Sequence, residues 1–151
     1  MILNLGAGDR INKSEGAINH DISKHREEIN CVHDLNILPW PFKDNQFSKI
    51  SALAVLEHLD IDLVKSMNEL WRISKKGCIL TVKLPMWDSE SVHDDPTHRW
   101  FFTERSLHYF DPSTEIGKNY GFYTDKKWKI LEDLIFTKTR SSFTAKMTPI
   151  K

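Results

Sequence analysis

The feature that most constrains the fold is a succession of short apolar segments, each ending on glycine or aspartate. The first, residues 2–5, is followed by Gly6-Ala7-Gly8, and the next two, residues 17–21 and 29–34, both close on a carboxylate. Segments of this length and composition are typical of β-strands bounded by turns. We therefore predict three successive strands, and by the same criterion two more over residues 47–55 and 78–84.

The clearest helix lies between the last two of these strands. Leu63, Met67 and Leu70 recur at the spacing of one helix face, which predicts an amphipathic helix packed on the sheet. Asp60 is its predicted amino-terminal cap, and Lys75-Lys76 are expected in its last turn, where cations interact favourably with the helix dipole.

The remaining elements complete an α/β pattern. A short helix is predicted over residues 103–110, and two strands, residues 128–136 and 142–147, are expected to pair antiparallel. Strands that alternate with helices or loops predict an α/β sheet, here mostly parallel, with an antiparallel closing pair and a reduced helix complement. Ligands of such sheets bind at the carboxyl ends of the strands, which is where the glycine turn and the aspartates lie.

The composition predicts one globular domain and excludes several classes of function. The 151 residues are 40% hydrophobic, and 21 Lys and Arg balance 21 Asp and Glu, so no global charge favours nucleic acid. No apolar run approaches the ~18 residues of a membrane-spanning helix, and no secretory signal is expected at the amino terminus. Cys31 and Cys78 lie in apolar stretches, which favours reduced thiols and a cytoplasmic protein.

The glycine turn and the aspartates are the first candidate binding residues. Gly6 and Gly8 allow a ligand to approach the backbone closely, but Ile11 stands where a dinucleotide motif needs its third glycine, which argues against NAD. Asp21 offers two acceptor oxygens for ribose hydroxyls, and Asp34 can accept an amino group. Each feature alone is better explained by an ordinary turn; their order along three strands favours a binding site.

Taken together, these residues resemble a known family. The sequence resembles the small class I S-adenosylmethionine-dependent methyltransferases of the type 11-like kind over about residues 2–111. The resemblance rests on the order and spacing of seven motifs, namely Leu3 to Asp9, Asn19 to Asp21, Val32 to Asn36, Leu38 to Phe42, Val55 to Leu59, Glu69 to Ile73 and Gly77 to Leu80. It implies a Rossmann-like methyltransferase sheet and S-adenosyl-L-methionine as the cofactor.

The resemblance also implies a role for each residue of the cofactor site, which would consist of Gly6, Ala7, Gly8, Asp21, Asp34, Leu35 and Leu56. The glycine turn would line the methionine and ribose parts of the cofactor, and Asp21 would hold the ribose hydroxyls. Asp34 would bind the adenine amino group with Leu35 against the ring, while the stretch around Val55 to His58, which includes Leu56, would lie beneath the transferable methyl group.

Three histidines are the catalytic candidates: His58, His93 and His98. A base is needed only if the acceptor must lose a proton, and His58 is as readily explained as a structural histidine at a strand end. His93, Asp95 and His98 lack a recognised metal-ligand spacing, so no metal is expected. The segment of residues 86–100 follows a strand end, where functional loops occur, and we interpret it as a lid over an acceptor pocket.

The expected acceptor is a small molecule, sugar or metabolite. The alternative is a non-catalytic S-adenosylmethionine-binding subunit or regulator that needs a partner. Because few helices are available to cover the sheet, strands such as residues 2–5 are expected to expose apolar side chains. A homodimer is predicted to cover them; the alternative is that the long segment of residues 86–100 folds back over this face.

Overall fold

The computed structural model describes residues 1–132 and 134–151. Its strands are β1 (Ile2–Leu5), β2 (Ala17–Asp21), β3 (Cys31–Val32), β4 (Phe47–Leu53), β5 (Ser74–Pro85), β6 (Lys127–Ile130), β7 (Ile135–Phe136) and β8 (Ser142–Ile150). Its α-helices are α1 (Leu63–Ile73), α2 (Glu90–Asp94) and α3 (Glu115–Tyr120), and short 3-10 helices cover Leu56–His58, Ser106–Phe110 and Gly121–Tyr123. None of the helices in this part of the chain is long and apolar enough to cross a membrane.

The strands form one sheet in the order β3-β2-β1-β4-β5-β8-β6, with β7 also paired to β8. Strands β1 to β5 run parallel, and β8 runs antiparallel to β5, β6 and β7. The predicted α/β class, mostly parallel with antiparallel closure, is therefore confirmed. The order reverses between β1 and β4, and such a switch point opens a crevice at the carboxyl ends of the strands.

One face of the sheet carries the hydrophobic core. Leu3, Ile50, Leu80 and Met147 stand in register on β1, β4, β5 and β8, and all four are fully buried. Helix α1 packs in the same cluster through Met67, Leu70 and Ile73. Because a strand alternates its side chains between two faces, the residues next to these in sequence point to the opposite face of the sheet.

The opposite face is largely polar, which corrects the prediction of exposed apolar strands. Asn4, Ser51, Thr81 and Lys146 form one row across it by register. Asn4 is buried, and its side-chain amide is satisfied there, since it donates to the backbone carbonyl of Arg10 at 2.6 Å and to Asn19 Oδ1 at 3.0 Å. This row of the face therefore lacks the apolar patch from which a homodimer was inferred, and the dimer stays a prediction.

Helix α1 is shorter than predicted at both ends. Asp62, not Asp60, caps it, since the Asp62 carboxylate accepts the backbone N–H of Lys65 at 2.8 Å. At the other end Ser74 already pairs with Phe47 of β4, so Lys75-Lys76 belong to β5 rather than to the last helical turn. A sheet partner distant in sequence thus overrides the local helical pattern.

Other predicted boundaries also differ. The third strand shrinks to Cys31–Val32, the fourth ends at Leu53, and the helix predicted over residues 103–110 is a 3-10 helix over Ser106–Phe110. Residues 128–136 do not form one strand but two, β6 and β7; Asp133, which that prediction included, lies outside the described residues. The sequence reasoning missed α3, although its cap, the Thr114 side chain bound to the Gly117 N–H, is a recognisable signal.

Candidate functional site

The glycine turn after β1 has a backbone that only glycine fits. Gly6 has φ +58°, and a Cβ placed on it would lie 1.8 Å from Cγ2 of Val55. Gly8 also has a positive φ, +51°, a region that residues with a Cβ rarely adopt. The turn therefore runs directly against the end of β4 and exposes its backbone to the crevice above.

The carboxylate of Asp21, at the end of β2, holds this turn in place. Its Oδ2 accepts the backbone N–H of Gly8 at 2.8 Å, and its Oδ1 accepts the N–H of Ile22 at 2.8 Å. A carboxylate has about four lone-pair sites, so each oxygen keeps one acceptor position for a further donor. The two backbone bonds fix the orientation of the group that would bind a ligand.

Asp34 and Leu35 follow β3 on the same edge of the sheet. Asp34 Oδ1 accepts the backbone N–H of Asn36 at 2.9 Å, and the Leu35 carbonyl accepts the indole N–H of Trp40 at 2.9 Å. Trp40 is almost completely buried, so it anchors this loop in the core. Asn36 in turn accepts the backbone N–H of Asp60 at 2.7 Å, which ties the loop to the segment after β4.

These residues surround a first cavity of about 320 Å³, which we call the glycine-turn cavity. Of the predicted cofactor residues it is lined by Gly6, Gly8, Asp21, Asp34 and Leu35. Ala7 and Leu56 are 0% and 2% exposed and are not part of this lining. The structure thus brings five of the seven predicted residues together, and the other two are buried outside the lining.

His20 lies beneath the glycine turn and is almost completely buried. Its Nε2 is 3.0 Å from the carbonyl oxygen of His33, and its Nδ1 accepts the Gly6 N–H at 3.4 Å. Both contacts suit a neutral ring with the proton on Nε2. Burial lowers the pKa of the His20 imidazole, since it disfavours the charged form.

A second cavity of about 330 Å³ adjoins the first, and we call it the histidine cavity. Glu57, His58, Asp95 and His98 are among its lining residues, together with Ser91, Ser141, Ser142, Ala54, Lys83, Leu84 and Pro85. Ala54 and His58 line both cavities. The two spaces are therefore neighbours that share these two lining residues.

The lid segment reaches the histidine cavity by folding back over the 3-10 helix Leu56–His58. The backbone N–H of Arg99 donates to the Glu57 carbonyl at 2.7 Å, and the Trp100 indole donates to the Leu59 carbonyl at 2.7 Å. A bridge between Met86 and Phe102 closes the base of the segment. This segment, for which no helix was predicted, contains α2, and it supplies His98 to the cavity.

The two histidines of this cavity are each held at Nδ1. His98 Nδ1 is 2.9 Å from the Val92 carbonyl oxygen, and His58 Nδ1 is 2.8 Å from Thr97 Oγ1. Their ring centroids are 4.7 Å apart. Burial, followed by the proximity of His98, lowers the pKa of the His58 imidazole, which favours the neutral ring.

Glu57 is the feature of this site that sequence reasoning missed. Its side chain is 1% exposed, and its Oε2 has no hydrogen-bond partner, while burial raises the pKa of the carboxyl. The sequence signal was the unusual position of a glutamate inside the apolar run from Val55 to Leu59. Ala54 was missed as well, since nothing local predicts its φ of +58°.

His93, the third catalytic candidate, lies apart from this cavity. It is exposed on α2, where its ring packs against Phe101 with centroids 5.6 Å apart, and neither cavity includes it in its lining. Of the three histidines proposed from the sequence, the structure brings His58 and His98 together and leaves His93 outside.

Comparison with solved structures identifies the fold. A chain from the complex between the Haloferax volcanii Trm112 methyltransferase activator and its methyltransferase matches with a TM-score of 0.66 at 12% identity, covering 99% of this chain and 82% of that one. S-adenosylmethionine-dependent methyltransferases from Aquifex aeolicus and Archaeoglobus fulgidus both match with TM-scores of 0.62, at 13% and 16% identity. These cover 99% and 97% of this chain and 81% and 85% of theirs.

The chain therefore has the fold of the small class I S-adenosylmethionine-dependent methyltransferases, as the resemblance in its sequence predicted. No protein-family model matches the sequence. A sequence relative, the uncharacterized protein MJ0638 of Methanocaldococcus jannaschii, is 37% identical over an alignment of 86 residues, and the match covers 52% of this chain and 36% of that protein. The match thus spans about a third of the relative's length.

Proposed function

We propose that this protein is an S-adenosylmethionine-dependent methyltransferase that acts on a small-molecule, sugar or metabolite acceptor. The single observation that carries the proposal is the pair of adjoining cavities that share Ala54 and His58. A methyltransferase needs one site for the methyl donor and one for the acceptor, with the methyl group between them. The fold, shared with methyltransferases of known structure, supports the same assignment.

The glycine-turn cavity is the proposed donor site, because its two aspartates keep hydrogen-bond acceptor positions that no described residue uses. Asp21 keeps one acceptor position on each oxygen after binding Gly8 and Ile22, which suits the two hydroxyls of a ribose. Asp34 keeps Oδ2 for an amino group while Oδ1 binds Asn36. A side chain on Gly6 would collide with Val55, so the donor would lie close to bare backbone.

The histidine cavity is the proposed acceptor site. When bound, S-adenosylmethionine supplies an electrophilic methyl group, so the protein's main task is to align the acceptor with that group. His58 borders both cavities, and Glu57 and His98 lie beside it. The lid segment would exclude water, since the Trp100 indole and the Arg99 amide fasten it over Leu56–His58.

Formation of S-adenosylhomocysteine by the purified protein tests this function. The assay offers S-adenosylmethionine with a panel of small acceptors that carry hydroxyl, amine or carboxylate groups. We expect turnover with at least one class, and Asp21→Ala should reduce the rate at low cofactor concentration by about 10- to 100-fold, because a charge-assisted hydrogen bond is lost.

The control is Asp125→Ala, which removes an exposed carboxylate paired only with the neighbouring Lys126 in the described structure. It should leave the rate unchanged. An intact protein that binds no S-adenosylmethionine at millimolar concentration in calorimetry would contradict the proposal.

The alternative function is an S-adenosylmethionine-binding subunit or regulator that acts with a partner. The Haloferax neighbour comes from a complex with a methyltransferase activator, and the polar sheet face of this chain would offer a partner a hydrogen-bonding surface. Turnover by the purified chain alone would exclude the need for a partner, whereas cofactor binding without turnover would favour this alternative.

Cys31 and Cys78 are both free, which supports the prediction of a reducing, cytoplasmic setting for either function.

A further inference from the structure

Three side chains in the histidine cavity converge on one point. Glu57 and His58 come from the 3-10 helix after β4, and His98 comes from the lid segment, 40 residues further along the chain. One ligand atom of each lies within 4.8 Å of the other two. Two imidazoles and a carboxylate in such a cluster are a recurrent metal-binding set.

The hydrogen bonds of the two histidines determine which nitrogen is free. The Val92 carbonyl can only accept, so His98 carries its proton on Nδ1 and leaves the lone pair on Nε2. Thr97 donates its hydroxyl proton to Asp95 at 2.6 Å, so Thr97 Oγ1 accepts from His58 Nδ1. His58 therefore also has its lone pair on Nε2.

This arrangement is the one found around metal-bound histidines. A histidine ligand usually donates its second ring N–H to a carbonyl, a carboxylate or another fixed acceptor, which sets the tautomer and the ring orientation. Val92 supplies that acceptor for His98, and the Thr97–Asp95 pair supplies it for His58. Two Nε2 lone pairs then remain for a cation.

Glu57 gives an independent indication of a ligand. Its Oε2 is buried without any hydrogen-bond partner, and no ion pair among the described residues includes Glu57. Leaving a buried polar atom without a partner is costly, and such atoms are rare in native structures. A cation beside Oε2 would remove that cost.

We propose that Glu57, His58 and His98 bind a divalent first-row transition-metal ion, such as Zn²⁺, Fe²⁺, Co²⁺ or Mn²⁺. Nitrogen ligands favour these ions over Mg²⁺ and Ca²⁺, which prefer oxygen. Ligand atoms of a tetrahedral zinc site lie about 3.4 Å apart, given bonds of about 2.1 Å, so the cluster needs to contract slightly on binding. From the sequence we predicted no metal site, because the set His93, Asp95 and His98 lacks a recognised metal-ligand spacing. That prediction did not consider Glu57, which the fold brings next to His58 and His98.

Such an ion would keep open coordination positions, because three protein ligands leave at least one free. The histidine cavity around it would then select an acceptor with an oxygen donor, such as a hydroxyl or a carboxylate, to occupy that position. This last step rests on the proposed methyltransferase function, whereas the metal site itself does not.

Titration of the untagged, metal-free protein with Co²⁺ tests the site, followed by its visible absorption and by calorimetry. We expect saturable binding of one ion, and a weakening of at least about tenfold in Glu57→Gln and in His98→Asn. Asparagine at position 98 can keep the hydrogen bond to Val92 while the Nε2 lone pair is lost. Co²⁺ should also raise the unfolding temperature of the wild type but not of the variants.

The matched control is His93→Asn, which removes an exposed histidine of the same lid segment and should leave Co²⁺ affinity unchanged. The metal-free Glu57→Gln protein should unfold at the same temperature as the wild type or higher, because an unpartnered buried carboxylate is removed. Wild-type protein that shows no saturable binding up to millimolar Co²⁺ would overturn the proposal, as would an equal loss of affinity in His93→Asn and His98→Asn.

Binding of S-adenosylmethionine to the metal-free protein separates the two proposals. If the donor binds and Co²⁺ does not, the metal site is wrong and the methyltransferase proposal stands. If Co²⁺ binds to the three-residue cluster and the donor does not, the metal site stands and the proposed function is wrong.

Discussion

The two cavities are built in different ways. The glycine-turn cavity is formed by residues at or just after the carboxyl ends of β1, β2, β3 and β4, and it depends on backbone contacts such as the hydrogen bond from the Gly8 N–H to Asp21. The histidine cavity is formed by side chains that a long segment carries back from β5, so that His98 meets Glu57 and His58. The first depends on the topology of the sheet, whereas the second depends on how one connecting segment folds.

Because of this difference, a fold shared at low sequence identity predicts the position of the glycine-turn cavity but not the residues of the histidine cavity. Parallel strands bring their carboxyl ends to one edge in every sheet of this kind, so the position of the crevice at that edge is fixed by the fold. The contents of the histidine cavity are fixed by local hydrogen bonds, such as that from Arg99 to Glu57, and they are free to vary between proteins of the same fold.

The largest effect is expected for Gly6→Ala, which disturbs the glycine turn that lines the first cavity. The new Cβ would lie 1.8 Å from Val55 Cγ2 and the residue would keep a φ of +58°, so the free energy of unfolding should fall by about 3 kcal/mol. Chemical denaturation measures this change.

Gly16→Ala is the control, because Gly16 has a φ of +70° with nothing within 4 Å of an added Cβ. It should cost only about 1 kcal/mol of unfolding free energy, from backbone strain alone. Equal losses in both variants would show that the contact with Val55 does not constrain the turn.

An intermediate effect is expected from the protonation of His20, beneath the first cavity. Its pKa is lowered in the folded protein by burial, which outweighs the hydrogen bond to the His33 carbonyl and the nearby Asp21 carboxylate, both of which favour the charged ring. The unfolded chain therefore binds a proton first, so the contribution to stability is complete above about pH 6.5 and is lost as the pH falls toward the lowered folded pKa.

The free energy of unfolding should thus fall below pH 6.5 with a slope of at most about 1.4 kcal/mol per pH unit from this group. His20→Gln, which can still donate to the His33 carbonyl, should show a shallower slope. Denaturant midpoints between pH 5 and pH 8 measure both proteins, and identical slopes would mean that His20 is not the group responsible.

The smallest effect is expected for Trp100→Phe, which loosens the segment that builds the second cavity. The substitution keeps most of the apolar contact but removes the indole hydrogen bond to the Leu59 carbonyl, worth about 1 kcal/mol. Hydrogen exchange at the Arg99 amide should therefore accelerate about fivefold.

Trp87→Phe is the matched control, since Trp87 belongs to the same segment and is 54% exposed. Its exchange pattern should resemble that of the wild type. Unchanged exchange in Trp100→Phe would show that the lid is held by other contacts.

The sequence allowed the strands and the first cavity to be predicted because their signals are local. A residue with a recognisable local signal marks the end of each of the first three strands: Gly6 follows β1, Asp21 ends β2, and Asp34 lies two residues after β3. The bounds of β1 and β2 agree with the prediction residue by residue. Where the prediction failed, as at the end of α1, the pairing of Ser74 with Phe47 was a long-range contact that no local pattern contains.

The second cavity could be predicted only in part, for the same physical reason. His58 and His98 were identified as reactive types, but their proximity depends on a segment that folds back through the bridge between Met86 and Phe102. Glu57 was overlooked because its significance lies in its burial without a partner, a property that the fold creates. His93 and His98 are the same residue type, yet only His98 lines the cavity, so residue type alone could not distinguish them.

Calorimetric titration of S-adenosylmethionine into the wild type, Asp21→Asn and His98→Asn tests the assignment of the two cavities most directly. Asparagine at position 21 keeps one acceptor oxygen and removes the charge, so the affinity should fall by about 10- to 100-fold, while His98→Asn should bind the donor within about twofold of the wild type. Equal affinity in Asp21→Asn and the wild type, or an equal loss in both variants, would contradict the account.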